Sequence, residues 1–223
     1  MTLILGIDTA TSGCSAALLR DGICLAEGAE RMARGQSEVL MPMIETVVRD
    51  AGIAMSEIDA IAVTRGPGAF TGLRIGLAAA RALALTLDIP CLGIGTFDVL
   101  AAQAQGQLSP GTIDALLVVI ESKRAELFTA LYDPDGVMID KPVAVLPDDI
   151  PALLGACRRI AIAGDAAEKA QAVLPGNLDL QLISGADVAD AKIVAGLARL
   201  HMGNPAAAPA SPFYLRAPDV TIN

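Results

Sequence analysis

A turn rich in glycine occupies residues 66–76 and reads Gly-Pro-Gly-Ala-Phe-Thr-Gly-Leu-Arg-Ile-Gly. It follows an apolar run at residues 60–64, typical of a buried strand, and precedes a helical pattern, so it connects a strand to a helix. We expect Pro67 to preset φ for a tight turn, Gly68 to take the positive φ of a type II turn, and Thr71 to cap the helix. Such a helix start suits an anion or a plain connection equally, and its spacing matches neither the Walker A nor the dinucleotide-binding motif.

The helix predicted at about residues 72–87 is apolar on two opposite sides. The side expected to pack on the sheet carries Leu73, Leu77, Ala80, Ala84 and Leu87. The other side carries Ile75, Ala78, Ala79, Ala82 and Leu85, and only Arg74, Arg81 and Asp88 interrupt the apolar ring. Because such a helix is covered on both sides, the second cover is either another helix of the same domain or another protein chain.

Composition limits the classes of fold and function that this chain can have. A chain of 223 residues with 53% apolar residues forms one large domain or two lobes. The formal net charge is −9, the basic residues are scattered, and tryptophan is absent, so independent RNA binding is not expected. Four cysteines without a C-x-x-C spacing predict reduced residues of a cytoplasmic protein. We expect neither a signal peptide nor a membrane span, because no uninterrupted apolar run reaches about 18 residues.

Hydrophobic periodicity predicts the same plan in both halves of the chain, a lone strand followed by a tight hairpin. In the first half, strands are predicted at 3–8, 14–20, 23–29, 60–64 and 91–94, and helices at 36–51, 72–87 and 97–105. In the second half, strands are predicted at 115–120, 126–132, 137–143, 160–163 and 179–183, and helices near 148–157, 165–173 and 187–202. The repeat predicts two related α/β lobes.

Several motifs together resemble the TsaB (YeaZ) family. They are Gly6-Ile7-Asp8-Thr9-Ala10-Thr11, the motif from Arg65 to Gly76, Leu40-Met41-Pro42-Met43-Ile44, the Lys123-to-Phe128 segment with Glu126, and Pro212-Phe213-Tyr214-Leu215-Arg216. The resemblance implies an actin-like, Hsp70-like ATPase (ribonuclease H-like) fold, with two related lobes that each hold a mixed sheet flanked by helices. We assign residues 1–105 with the returning segment 187–223 to one lobe, and 106–186 to the other.

The resemblance also implies a role without catalysis. In that family the chain is a scaffold for the catalytic subunit TsaD in bacterial tRNA threonylcarbamoyladenosine formation, and it helps to recruit the ATPase TsaE. ATP or ADP and a metal are then expected in the partner subunits, none is expected in this chain, and tRNA is reached only through the complex. Two positions depart from the family pattern, since Gln36 often corresponds to histidine and Glu121 to aspartate.

A metal site of the TsaD type is not expected. The paired histidines of TsaD correspond to Thr96 and Leu100 here, and the chain has one histidine, His201. We expect His201 to lie near the end of a helix, where the helix dipole favours a cation.

Asp8 and Glu121 end the first strands of the two halves. They are either a metal-facing pair of a nucleotide site or acids that cap their own turns. The glycine expected in the first phosphate loop is Ala10, so capping is the preferred interpretation.

Helices 36–51 and 72–87 are predicted to bind TsaD with their second apolar sides. The predicted contact residues are Leu40, Met41, Ile44, Val48, Arg74, Ile75, Ala78, Ala79, Ala82 and Leu85. The isolated chain is expected to form a homodimer through the same surface. The alternative function is a stand-alone actin-fold ATPase or phosphotransferase.

Overall fold

A computed structural model describes residues 1–204 and 208–216. The first sheet has the strand order β3-β2-β1-β4-β5. Its strands are β1 (Leu3–Asp8), β2 (Gly13–Arg20), β3 (Ile23–Arg31), β4 (Ala60–Gly66) and β5 (Cys91–Gly95). The sheet is mixed, since β1 pairs antiparallel with β2 and parallel with β4. The tight hairpin predicted between residues 14–20 and 23–29 is present: Asp21-Gly22 joins β2 to β3, and both residues have positive φ.

The second sheet repeats this arrangement with the order β10-β9-β6-β7-β8. Its strands are β6 (Ala115–Glu121), β7 (Leu127–Tyr132), β8 (Val143–Val145), β9 (Arg159–Ala163) and β10 (Asp179–Leu182). Here β6 pairs antiparallel with β7 and parallel with β9. The prediction of two related lobes, each with a mixed sheet flanked by helices, is confirmed.

Six α-helices are described beside the two sheets. They are α1 (Gln36–Asp50), α2 (Phe70–Leu87), α3 (Thr96–Gln105), α4 (Ile150–Leu153), α5 (Ala167–Val173) and α6 (Ala191–His201). α1 and α2 cover one face of the first sheet, while α6 packs against its strands β1, β2, β4 and β5. α6, within the predicted returning segment 187–223, thus packs on the first sheet, and residues 205–207 and 217–223 of that segment lie outside the described residues.

The largest buried cluster joins the two lobes through α3 and α6. It contains Ile4 and Leu19 of the first sheet, Leu116 and Val118 of the second, and Leu100 of α3. Each lobe has a further cluster between its sheet and its outer helices. Because apolar burial is the main favourable term in folding, this shared cluster holds the lobes together.

The third strand of the second half lies later than predicted. Residues 137–143 were expected to form it, but β8 begins at Val143. The chain runs beside β7 only briefly, with the Ile139 amide donating to the Leu131 carbonyl at 2.8 Å. Pro142 has no N–H to donate, so it interrupts the ladder before β8.

The central turn also differs from its prediction. Positive φ (113°) occurs at Gly66, not at Gly68. The residue that caps α2 is Ala69, with no side-chain hydrogen bond, and Thr71 lies inside the helix. Gly66 is required because a Cβ there would lie 2.5 Å from the carbonyl oxygen of Phe213, a contact that is distant in sequence.

Candidate functional site

Asp8 at the end of β1 is completely buried. Its Oδ1 accepts hydrogen bonds from the Thr64 hydroxyl at 2.6 Å and the Ala10 amide at 3.1 Å, and its Oδ2 accepts one from the Thr11 hydroxyl at 3.4 Å. Burial raises the pKa of Asp8 to about 6, although these hydrogen bonds act in the opposite direction. Asp8 thus bonds to its own loop and to the neighbouring strand, as the capping interpretation expects.

The first turn of α2 lies directly on the loop after β1. The Ala69 amide donates to the Ala10 carbonyl at 2.8 Å, and the Thr9 hydroxyl donates to the Gly72 carbonyl at 2.7 Å. A Cβ on Gly68 would lie 2.2 Å from the Ala10 carbonyl oxygen, and one on Gly72 would lie 2.1 Å from that of Thr9. The glycines of the motif therefore let the helix start approach the loop backbone closely.

Glu121 at the end of β6 has its own set of partners. Its carboxylate forms an ion pair with Lys169 and accepts a hydrogen bond from the Lys123 amide at 3.0 Å. Burial alone would raise the pKa of Glu121, but the bond to Lys169 and the other contacts outweigh it, and the pKa is lowered. The carboxylates of Asp8 and Glu121 thus bind different partners.

Asp165, which the sequence did not single out, bridges the lobes at this point. It accepts hydrogen bonds from the Ser12 hydroxyl at 3.0 Å and from the Glu121 amide at 2.8 Å. Burial raises the pKa of Asp165, which these bonds partly offset. Asp165 thus joins the loop after β1 to the end of β6.

The two positions that the resemblance matched to the paired histidines of TsaD are in the core. Thr96 and Leu100 are both 0% exposed. Among residues 1–204 and 208–216, no group of three or more His, Cys, Asp and Glu side chains is placed to hold a metal ion. His201 is the last residue of α6, as predicted.

The outer side of α2 is open. Arg74, Ala78, Ala82 and Leu85 are exposed, and the Leu85 side chain is 84% exposed. Ile75 and Ala79 are half-buried at the edge of the same surface. We call these six residues the outer face of α2. The opposite side, with Gly72, Leu73, Gly76, Leu77, Ala80 and Ala84, is buried against the first sheet.

α2 is also apolar enough to meet a length and composition test for a membrane span. Within the part of the chain that the structure describes, it is the one helix to do so, and 33% of that window is buried inside the protein. Core helices of soluble proteins meet the same test, and the buried side of α2 packs on the first sheet.

Fewer of the predicted contact residues of α1 are exposed than expected. Leu40, Ile44 and Val48 are buried in the core cluster of the first lobe, so their assignment to an outward side is wrong. These three residues, at positions i, i+4 and i+8, face β2 and β3. Of the predicted contact residues of α1, Met41 is on the outside and is 38% exposed. Gln36 is buried, and its amide donates to the Met32 carbonyl at 3.4 Å.

The segment 213–216 lies against the start of α2. The Phe213 amide donates to the Arg65 carbonyl at 2.7 Å, and the Tyr214 ring lies 5.6 Å from the ring of Phe70. The Arg74 guanidinium stacks 3.7 Å from the centre of the Phe70 ring. An ion pair of 3.0 Å between Arg216 and Glu126 connects this segment to the second lobe.

Comparison with known proteins gives matches over most of the chain. The family model for TsaD, tRNA N6-adenosine threonylcarbamoyltransferase, matches residues 29–194. The tRNA threonylcarbamoyladenosine biosynthesis protein TsaB of Escherichia coli (strain K12) is 37% identical over 132 residues, which cover 59% of this chain and 55% of that protein. An uncharacterized protein of Mycobacterium tuberculosis (strain ATCC 25618 / H37Rv) is 33% identical over 224 residues, covering 98% of this chain and 94% of its own length.

Solved structures agree with these matches. YeaZ from Pseudomonas aeruginosa superposes with a TM-score of 0.82 at 27% identity, covering 96% of this chain and 100% of that chain. Two remote structures share the fold alone, with TM-scores of 0.52 and 0.51 at 11% and 12% identity. They are the activator of the 2-hydroxyisocaproyl-CoA dehydratase from Clostridium difficile with bound ADPNP and a polyphosphate/ATP-glucomannokinase from Arthrobacter. The predicted actin-like ATPase fold is confirmed.

Proposed function

Because this chain belongs to the TsaB (YeaZ) family, we propose that it is a noncatalytic subunit of the bacterial machinery that forms N6-threonylcarbamoyladenosine on tRNA. It binds the catalytic subunit TsaD as a heterodimer, stabilises the active conformation of TsaD and supports recruitment of the ATPase TsaE. It acts in the cytoplasm and reaches tRNA through the complex.

The outer face of α2 carries this proposal. Apolar side chains in the middle of a helix that stay exposed while the other side is fully packed are typical of a protein–protein contact. Burying Leu85 alone would contribute about 2 kcal/mol, and the small side chains of Ala78 and Ala82 let a partner helix approach closely. Met41 of α1 extends the surface, so the helices of this chain and those of TsaD would form one bundle.

The geometry at Asp8 supports a role without catalysis. α2 packs on the loop after β1, Asp8 is fully buried, and Asp165 joins the two lobes. A nucleotide would have to displace these contacts before its phosphates could reach the loop. ATP or ADP and a metal are therefore assigned to the partner subunits.

The same surface would pair with a second copy when TsaD is absent. A twofold contact places each outer face of α2 against its equivalent. We expect the isolated chain to be a homodimer that TsaD dissociates, which light scattering after gel filtration detects as a change of mass.

A stand-alone ATPase or phosphotransferase is the second candidate, because a remote relative of the fold was solved with a bound ATP analogue. Calorimetry with ATP and Mg²⁺ on the isolated chain separates the two functions. Micromolar binding with turnover would favour the enzyme, whereas no heat of binding agrees with the scaffold.

Reconstitution tests the proposed function directly. Modification of tRNA by purified TsaD and TsaE, with threonylcarbamoyl adenylate as donor, should depend on this chain. Modification at the same rate without it would overturn the proposal.

A further inference from the structure

A cavity of about 610 Å³ lies at the carboxyl ends of β4 and β5, where Met138 and Pro142 of the second half of the chain also line it. Ligand sites in α/β proteins commonly lie at the carboxyl ends of the strands. Its apolar walls include Leu92, Ile94, Phe97, Met138 and Leu197. Three ionisable side chains, those of Arg65, Asp98 and His201, line the same cavity.

Arg65 and Asp98 carry opposite charges but do not pair with each other. Within residues 1–204 and 208–216, no ion pair of 4 Å or less joins them, and the contact described for the Arg65 guanidinium is the ring of Phe213 at 5.4 Å. Asp98 Oδ1 accepts a hydrogen bond from the buried Tyr132 hydroxyl at 2.9 Å. The guanidinium and the second carboxylate oxygen are therefore both available to a ligand.

The charges are close enough to influence each other. Burial raises the pKa of Asp98, while the Tyr132 hydrogen bond and the nearby His201 and Arg65 side chains act to lower it. Arg65 and Asp98 thus line one cavity of about 610 Å³ without an ion pair of 4 Å or less between them.

We propose that this cavity binds a small zwitterion of the α-amino acid class, with its carboxylate on Arg65 and its ammonium group on Asp98. The planar guanidinium suits a carboxylate, which it can bind through two parallel hydrogen bonds. Asp98 disfavours a simple anion and Arg65 disfavours a simple cation, so the pair selects a ligand that carries both charges. The apolar walls accept an aliphatic side chain. This inference does not depend on the proposed function.

Ligands that differ by one charged group test the proposal on the unaltered protein. We expect L-leucine to bind saturably in calorimetry, with affinity between micromolar and millimolar. Isopentylamine lacks the carboxylate and 4-methylpentanoate lacks the amine, and each should bind at least about tenfold more weakly. Absence of leucine binding, or equal binding of all three compounds, would overturn the proposal.

Two variants assign the charged groups. Arg65→Gln should weaken leucine binding at least about tenfold and leave isopentylamine binding no weaker, whereas Asp98→Asn should weaken leucine and leave 4-methylpentanoate no weaker. Arg199→Gln, at an exposed position of α6, is the matched control and should bind leucine like the unaltered chain. Circular dichroism confirms folding of each variant, and if either fails to fold, the ligand series still decides. Leucine affinity unchanged in both folded variants would contradict the assignment.

Discussion

The Thr9 hydroxyl donates a hydrogen bond to the carbonyl oxygen of Gly72 over 2.7 Å, which ties the loop after β1 to the first turn of α2. Gly76, one turn later, also lies against Thr9, since a Cβ there would be 2.4 Å from the Thr9 Oγ1. The inner side of α2 is thus fixed against the loop after β1 by the Thr9 side chain. The outer face of α2 is left exposed, and the proposed function depends on it.

Gly72→Ala should destabilise the protein. The added methyl group would lie 2.1 Å from the Thr9 carbonyl oxygen, so the helix start must move. We expect the free energy of unfolding in urea to fall by about 1–3 kcal/mol.

Gly196→Ala is the matched control for that change. Gly196 also lies inside a helix, but a Cβ there has no atom within 4 Å. It should therefore stabilise the chain by about 0.5–1 kcal/mol through helix propensity. A Gly72→Ala protein as stable as Gly196→Ala would show that the close contact is wrong.

The stability of the protein should fall as pH rises from about 4 to about 6. The pKa of Asp8 is about 6 in the folded chain, against 3.8 for a free carboxyl group, because burial disfavours its charged form. Between these values the folded chain keeps a proton that the unfolded chain has released, so the free energy of unfolding decreases with pH. This group alone contributes a loss of about 3 kcal/mol, which is nearly complete at about pH 7, one unit above the folded pKa.

Asp8→Asn isolates that contribution. The asparagine stays neutral and can still accept from the Thr64 hydroxyl, so the loss between about pH 4 and about pH 7 should be smaller than in the unaltered chain. Asp140→Asn, at an exposed position, should leave the loss unchanged. Urea unfolding at both pH values measures the difference, and identical losses in all three proteins would exclude Asp8 as the source.

Phe213→Ala should weaken the attachment of the segment 213–216. The ring is half-buried and lies 5.4 Å from the Arg65 guanidinium, so its removal should cost about 1–2 kcal/mol in the free energy of unfolding. Leu200→Ala removes a side chain that is 73% exposed and should cost less than about 0.5 kcal/mol. Equal effects of the two changes would mean that Phe213 does not pack on the first lobe.

Local patterns in the sequence were sufficient to predict most elements. β1 was predicted at residues 3–8 and occupies Leu3–Asp8, and the Asp21-Gly22 turn lies where its backbone preference requires. The apolar outer side of α2 was also predictable, because helical periodicity assigns Ala78, Ala82 and Leu85 to one side. These features depend on neighbours in sequence.

Features that depend on contacts distant in sequence could not be predicted. Gly66 has a positive φ and lies against the Phe213 carbonyl, with no room for a Cβ. No residue near Gly66 in the sequence indicates that contact. Val48 is a predicted contact residue that is buried, because β2 and β3 together cover a wide side of α1. The link from Ser12 to Asp165 spans 153 positions and has no local signature.

The affinity of Ala82→Glu for purified TsaD, measured by calorimetry, tests the proposed interface most directly. Ala82 is exposed, so the change should leave folding intact, but a carboxylate buried in the contact without a partner should weaken binding by at least about a hundredfold. Ala78→Glu should act in the same way, and Ala172→Glu, at an exposed helical position of the second lobe, should bind TsaD normally. We expect loss of binding in the two α2 variants alone; an Ala82→Glu protein that binds TsaD as tightly as the unaltered chain would contradict the proposed interface.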